Sequence, residues 1–232
     1  EIQALWAAAL HFLAAIDPVG SADWRNLSKK VRQSILQWFY TKKGYLSDCL
    51  HASEHESVAC ARADDAVRPN QLLALTLDAI SDRFIGRNIL DACQRLLVPG
   101  AIRSLADALT EFPLEIRHHG LLLGDPHRPY RGNYAGDEDT SRKPAYHNGT
   151  AWTWLYPSYS EAYVQVYGAR VLVTARALLC GSLEILRKGC VGHFPEILDG
   201  DYPHRLRGCD AQAWGLGEWL RVWEKLKAVG KV

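Results

Sequence analysis

The chain has 232 residues, 48% of them hydrophobic and 23% charged, with a formal net charge of +1. That is globular composition, and the length allows one domain with a sizeable core. There is no long basic run, so nothing points to nucleic acid or an anionic membrane surface, and no apolar run is long enough to span a bilayer. Cys49, Cys60, Cys93, Cys180, Cys190 and Cys209 are spread out and form no CxxC pair. They read as mostly free, buried thiols in a reducing, cytoplasmic setting, with no signal peptide before them. The chain contains no Met and opens directly in an apolar helical pattern. Both features lead us to expect a piece of something longer, or a processed or redesigned chain.

The spacing of Leu5, Ala9, Leu10, Leu13 and Ile16 predicts a helix over Ile2 to Ile16, ended by Asp17-Pro18. Asp23 reads as the N-cap of a second helix reaching about Lys42, with Val31, Ile35, Leu36 and Phe39 on one face and Gly44 as its stop. Residues 45 to 68 are polar and irregular. Helices are predicted over Asn70 to Ile80 and Ile85 to Leu97, the latter closed by Pro99-Gly100. Residues 103 to 150 are rich in Pro and Gly and hold no long helical pattern. Leu114 to Leu123 reads as a small hairpin. Such a long structureless stretch inside a compact domain is usually functional. Helices are again predicted over Ser158 to Tyr167, Arg170 to Leu186 and Ala211 to Val229. Strand signals are scarce, so the expectation is an all-α protein whose informative residues sit on loops.

Pro195-Glu196-Ile197-Leu198-Asp199-Gly200-Asp201 crowds three carboxylates onto a turn-forming stretch. Neighbouring carboxylates shift each other's pKa, which suits acid–base work; the plainer reading is a solvated Asp-Gly turn. Tyr146-His147-Asn148-Gly149-Thr150-Ala151-Trp152-Thr153-Trp154 mixes aromatics with hydrogen-bonding side chains. Sugars are held by such sets, aromatic faces covering the C–H face of the ring, although an aromatic core segment has the same composition. Asn26-Leu27-Ser28 and Asn148-Gly149-Thr150 also match glycosylation sequons, in a composition that does not look secreted. His51-Ala52-Ser53-Glu54-His55 has the spacing for two imidazoles on one helix face sharing a zinc ion, or for a solvated face. Pro69 fits a helix N-terminus, and Asp210 fits a cap before Gln212 and Trp214.

Taken in order, RPNQLLALTL, IRSLAD, YRGNYAGDEDTSRKPAYHNGTAWTW, PEILDGDYPH and RGCDAQAWGLGEWLRVW resemble the C-terminal part of the bacterial glycogen debranching enzyme family, the amylo-α-1,6-glucosidases. The opening Glu1-Ile2-Gln3-Ala4-Leu5-Trp6 is similar to that family's VEINALW segment. The resemblance covers nearly the whole chain. It implies an (α/α)6 toroid, present here as an incomplete C-terminal portion with long functional loops, in a single domain over 1–232.

It also implies an inverting glucosidase acting on branch-point glucose of glycogen or limit dextrin, without cofactor or metal. That chemistry needs two carboxyls roughly 6.5–9.5 Å apart, one protonating the leaving oxygen and one activating water. Glu196 matches the general base, with Asp199 and Asp201 as tuning residues or alternative holders of that role. The resemblance places the general acid on an aspartate before Glu1, so the rest of the same enzyme is an expected partner and the chain alone is expected to have little activity. Glu1, Trp6, Arg68, Asn70, Gln71, His147, Asn148, Trp152, Trp154, Gln212 and Trp214 lie on matched motifs and are expected to line the glucose subsite. Between Leu105 and Tyr130 the chain is longer than the commoner family pattern. The alternative expectation is a non-catalytic, glucan-binding remnant.

Overall fold

A computed structural model describes residues 1–229. The first helix, α1, spans Ile2–Ile16, as its apolar spacing dictates, and buries Ala4, Ala7, Leu10 and Ala14. Asp17 closes it. Its carboxylate accepts the Val19 and Gly20 N–H groups, both at 3.1 Å, and the Trp24 indole N–H at 2.8 Å. The bond from Trp24 and then that from Gly20 hold its pKa below the ordinary value. This turn delivers the chain into α2, Ser21–Ser34, so the residue preceding α2 is Gly20 and Asp23 falls inside its first turn rather than at the N-cap. There a carboxylate still suits the positive end of the helix dipole. The single helix expected to Lys42 is divided, because Ile35–Phe39 wind as a π-turn.

The polar stretch that follows carries a hairpin of β1, Leu50–His51, and β2, Arg62–Ala63. Pro69–Gln71 make a 3-10 turn into α3, Leu72–Thr76. The helix expected to Ile80 stops early, and Asp78 just beyond it is left-handed at φ 56°. Asp82 caps α4, Arg83–Gln94, accepting the Phe84 and Ile85 N–H groups at 2.8 and 3.0 Å. Leu97 leaves the expected helix and enters β3, Leu97–Val98, which turns at Gly100 into β4, Ala101–Arg103. The hairpin expected between Leu114 and Leu123 forms, from β5, Arg117–His118, and β6, Leu121–Leu122. Then come α5, Lys143–Tyr146, β7, Ala151–Trp152, α6, Tyr156–Tyr167, and α7, Leu172–Cys180. The chain continues through β8, Ile197–Leu198, and β9, Leu206–Arg207, to α8, Ala213–Val229.

Helix is the main regular structure, with eight α-helices among the described residues, but the fold is not all-α as expected. Strands β3-β4-β7-β8-β9 form one five-stranded sheet, in that order; each neighbouring pair is antiparallel. Strands this short complete no alternation of polar and apolar residues, so no period-two signal exists to read. The expectation of buried thiols is also corrected. All six cysteines are free, but only Cys93 is buried, and Cys49, Cys60 and Cys209 are exposed.

Helix α6 is the centre of the packing, touching α3, α4, α7 and α8. One apolar cluster on its α4 side contains Ile89, Leu90 and Leu155, and a second on its α8 side contains Leu179, Phe194 and Val222. Burial on both sides leaves Glu161 of α6 only 3% exposed. Arg221 and Lys225 of α8 each place a nitrogen 2.6 Å from its carboxylate. A buried carboxylate is tolerated only when paired in this way. Ile2, Leu5, Phe12 and Ile16 lie exposed along α1.

Replacing Glu161 with Ala is expected to lower stability by about 2–3 kcal/mol, the loss of charged hydrogen bonds at a buried position. Urea unfolding measures this, and the spectroscopic helix content before the transition should stay unchanged.

Candidate active site

The small sheet brings the candidate residues together. Glu196 precedes β8 and lies opposite Cys209, which follows β9. The Glu196 N–H donates to the Cys209 carbonyl at 2.7 Å, and the Cys209 N–H returns a bond to Glu196 Oε2 at 3.2 Å. On the other edge the Thr153 hydroxyl donates to the Pro195 carbonyl at 2.6 Å. The peptide group that precedes Glu196 is therefore tied to both neighbouring strands. Its carboxylate Oε1 accepts the Tyr146 hydroxyl and, at 3.0 Å, the Gln212 amide. Gly208 sits against Oε2. A β-carbon there would lie 2.4 Å from that oxygen, and the backbone is left-handed at φ +68°.

Asp199 and Asp201 hold the loop in place. Asp199 is 2% exposed. It accepts the Tyr134 N–H at 2.8 Å and is ion-paired with Arg207, Nε lying 3.1 and 3.2 Å from its two oxygens. Asp201 accepts the Tyr130 hydroxyl at 2.8 Å and the Asn133 amide at 3.0 Å. Burial, and then that bond to Asp201, raise the Tyr130 hydroxyl pKa, so it stays a neutral donor. Neither aspartate lines the open hollow of about 690 Å³ that Glu196 shares with Tyr134, Arg142 and Arg207. The loops cross at glycines. The Gly200 N–H meets the Gly132 carbonyl at 2.6 Å, and a β-carbon on Gly200 would lie 2.0 Å from the Gly149 carbonyl oxygen.

Beside this hollow is an aromatic cavity of about 470 Å³ whose lining includes Glu1, Arg68, Asn70, His147, Trp152, Trp154 and Trp214. Trp154 stacks on Trp214 at 4.7 Å and His147 on Trp152 at 5.2 Å, and Trp152 meets Trp214 edge to face at 6.2 Å. Flat faces beside polar groups are what a sugar ring needs. Arg68 donates to the Ser104 carbonyl at 3.1 Å, to the His147 carbonyl, and to Asn148 Oδ1 at 2.9 Å. Burial, and next the Arg68 charge, lower the His147 pKa, which leaves a neutral ring at neutral pH.

Not every expected residue faces this cavity. Asn148 uses its amide to bridge Arg68 and the Pro144 carbonyl. Gln71 is buried, accepts the Leu46 N–H at 3.1 Å, and lines an adjoining cavity of about 560 Å³ that also contains Glu1, Asp48 and Arg68. Trp6 is 45% exposed on α1 and lines neither. Gln212 joins the two parts of the site: its Nε2 donates to Glu196 and its Oε1 accepts the Trp214 indole N–H. Tyr146 was absent from the expected set, because a tyrosine beside an aromatic run carries no sign of which carboxylate it will meet.

The helix needed for paired zinc ligands at His51 and His55 does not form. His51 lies in β1, with its ring stacked on Phe112 at 4.0 Å and Nε2 3.1 Å from Asp64. His55 occupies an exposed turn at φ 63°. Among the described residues no cluster of three or more His, Cys, Asp or Glu is arranged to hold a metal.

Flat aromatic faces next to hydrogen-bonding side chains are the composition expected of a sugar-binding surface. The amylo-α-1,6-glucosidase family profile matches residues 1–221, and the chain belongs to that family. A comparison with curated proteins returned no match.

Gly208→Ala is expected to lose about 1–2 kcal/mol of stability through left-handed strain. It should also displace the Glu196 carboxylate, since the new methyl would collide with Oε2. Urea unfolding reads the first effect; a crystal structure of the variant reads the second.

Proposed function

We propose that this chain forms the glucosidase site of a glycogen-debranching glycoside hydrolase, part of an (α/α)6 toroid. The site would cleave branch-point α-1,6-linked glucose of glycogen or limit dextrin with inversion. The observation that carries the reading is the Glu196 carboxylate, gripped by the Cys209 N–H and by Tyr146 and Gln212, which in turn touch Trp152 and Trp214 of the aromatic cavity. In this reading the glucose ring lies against the aromatic walls of the cavity, and Arg68, Asn70 and Glu1 meet its hydroxyls. Glu196 removes a proton from a water held between its carboxylate and the anomeric carbon. The water attacks the face opposite the leaving oxygen, so the configuration inverts. Asp199 and Asp201 contribute indirectly, by fixing the loop that carries Glu196. A second carboxyl must protonate the leaving oxygen, and we assign none of residues 1–229 to that role.

Free cysteines are compatible with a cytoplasmic setting, which we also propose. No helix among the described residues is long and apolar enough to cross a membrane.

The test is glucose release from a branched α-1,6 dextrin, by this chain and by a version extended before Glu1 to supply an acid, with dextrin binding measured alongside. Glu196→Gln is expected to reduce kcat by about 10²- to 10⁴-fold, the ordinary contribution of a general base, with binding retained. Turnover at the unmodified rate by Glu196→Gln would remove Glu196 from the chemistry. Binding of dextrin with no turnover by either version would favour a non-catalytic, glucan-binding domain.

A further inference from the structure

We propose that Tyr146 is the positioning residue of this site, orienting the Glu196 carboxylate so that Oε2, and not Oε1, is the atom that takes the proton from water; this rests on the reading of Glu196 as general base. A carboxylate oxygen has two lone-pair positions. On Oε1 both are taken, by the Tyr146 hydroxyl and by the Gln212 amide at 3.0 Å. On Oε2 the described contact is the Cys209 N–H at 3.2 Å, which leaves one position for water. The absent side chain of Gly208 makes room for Oε2 itself, which a β-carbon there would meet at 2.4 Å.

Tyr146 is itself held firmly enough to orient another group. Its ring meets Trp152 and His147 edge to face, both at 4.8 Å. Its carbonyl accepts the Thr150 hydroxyl at 2.6 Å and the Trp152 indole N–H at 3.1 Å. Burial, followed by the bond to Glu196, raises the phenol pKa above its ordinary value, so the hydroxyl remains a donor throughout the working range. Both donors to Oε1 are anchored in the walls of the aromatic cavity. Tyr146 leans on Trp152, and the Gln212 carbonyl oxygen accepts from Trp214. The proton-accepting atom is thereby set in register with the surfaces that would hold the sugar. The other titratable or charged groups around Glu196 are Tyr134, Arg142, His147, Arg207 and Cys209. Of these, Arg207 is paired with Asp199 and Arg142 with Glu138.

Tyr146→Phe tests this, since it keeps the ring and removes one donor. We expect kcat on a branched dextrin to fall by about 10- to 100-fold with KM little changed, the loss of one hydrogen bond to a charged group. A tyrosine that only filled space would leave kcat where it was. Tyr146→3-fluorotyrosine, which keeps the donor and the shape, should retain it. The orientation can be read without turnover from a crystal structure of Tyr146→Phe, in which the Glu196 carboxylate should rotate away from Gln212. If Glu196→Gln abolishes turnover while Tyr146→Phe leaves kcat and the Glu196 carboxylate orientation unmoved, the positioning role is wrong and the base assignment survives. If Glu196→Gln turns over normally, both fall together.

Discussion

The site depends on a strand of two residues. Ile197 and Leu198 of β8 pair with Trp152 and Ala151 on one side and with Arg207 and Leu206 on the other. This narrow ladder brings three distant stretches into contact: the aromatic run ending at Trp154, the carboxylate loop after Pro195, and the Gly208 turn leading to Gln212. A ladder so short has little strength of its own, because isolated short strands are marginal in water. Its strength is borrowed from burial, since Ala151, Ile197 and Leu198 all lie in the core, and from the ion pair of Asp199 with Arg207 one step along. A carboxylate enclosed as tightly as Asp199 must keep its cation and its N–H donor, or the loop opens.

A division of labour among the acidic residues follows. Glu161 ties α6 to α8, Asp199 ties β8 to β9, Asp201 ties the 130–133 segment down, and Asp65 accepts the Glu111 and Phe112 N–H groups at 2.9 and 3.0 Å. Each has its oxygens committed to fixed partners. Glu196 differs in facing an open hollow, with one oxygen saturated and the other only partly so. Whether a carboxylate can act on a substrate is thus settled less by how many acids share a segment than by which of them retains an unfilled lone pair facing solvent.

Much of the helical frame was legible in the chain. The apolar spacing from Ile2 to Ile16 defines α1 in full, and the periods near residues 85, 158 and 213 locate α4, α6 and α8. The failures have local causes. The π-turn at Ile35–Phe39 interrupts a pattern whose apolar spacing continues unbroken. The early end of α3 coincides with a left-handed backbone at Asp78, an aspartate of a kind that tolerates that conformation without advertising it. The zinc-like spacing of His51 and His55 failed because that stretch enters a hairpin, where residues four apart share no helix face. The five-stranded sheet had no pattern long enough to be seen.

The sequence by itself determined the family, the helical periodicity and the residue types of a sugar-handling site, because these are local: they depend on neighbours along the chain and on motifs carried intact. Only the tertiary structure decided which of those residues meet. It divided Glu196 from Asp199 and Asp201 although they lie within a few positions of one another. It turned Asn148 and Gln71 into braces for Arg68 and the chain near Leu46, and it set Tyr146 on Glu196 across fifty residues of sequence. The physical reason is that a carboxylate's chemistry is fixed by the donors and cations packed around it. Those partners arrive from other strands and helices through burial and backbone pairing, which no stretch of the chain encodes alone.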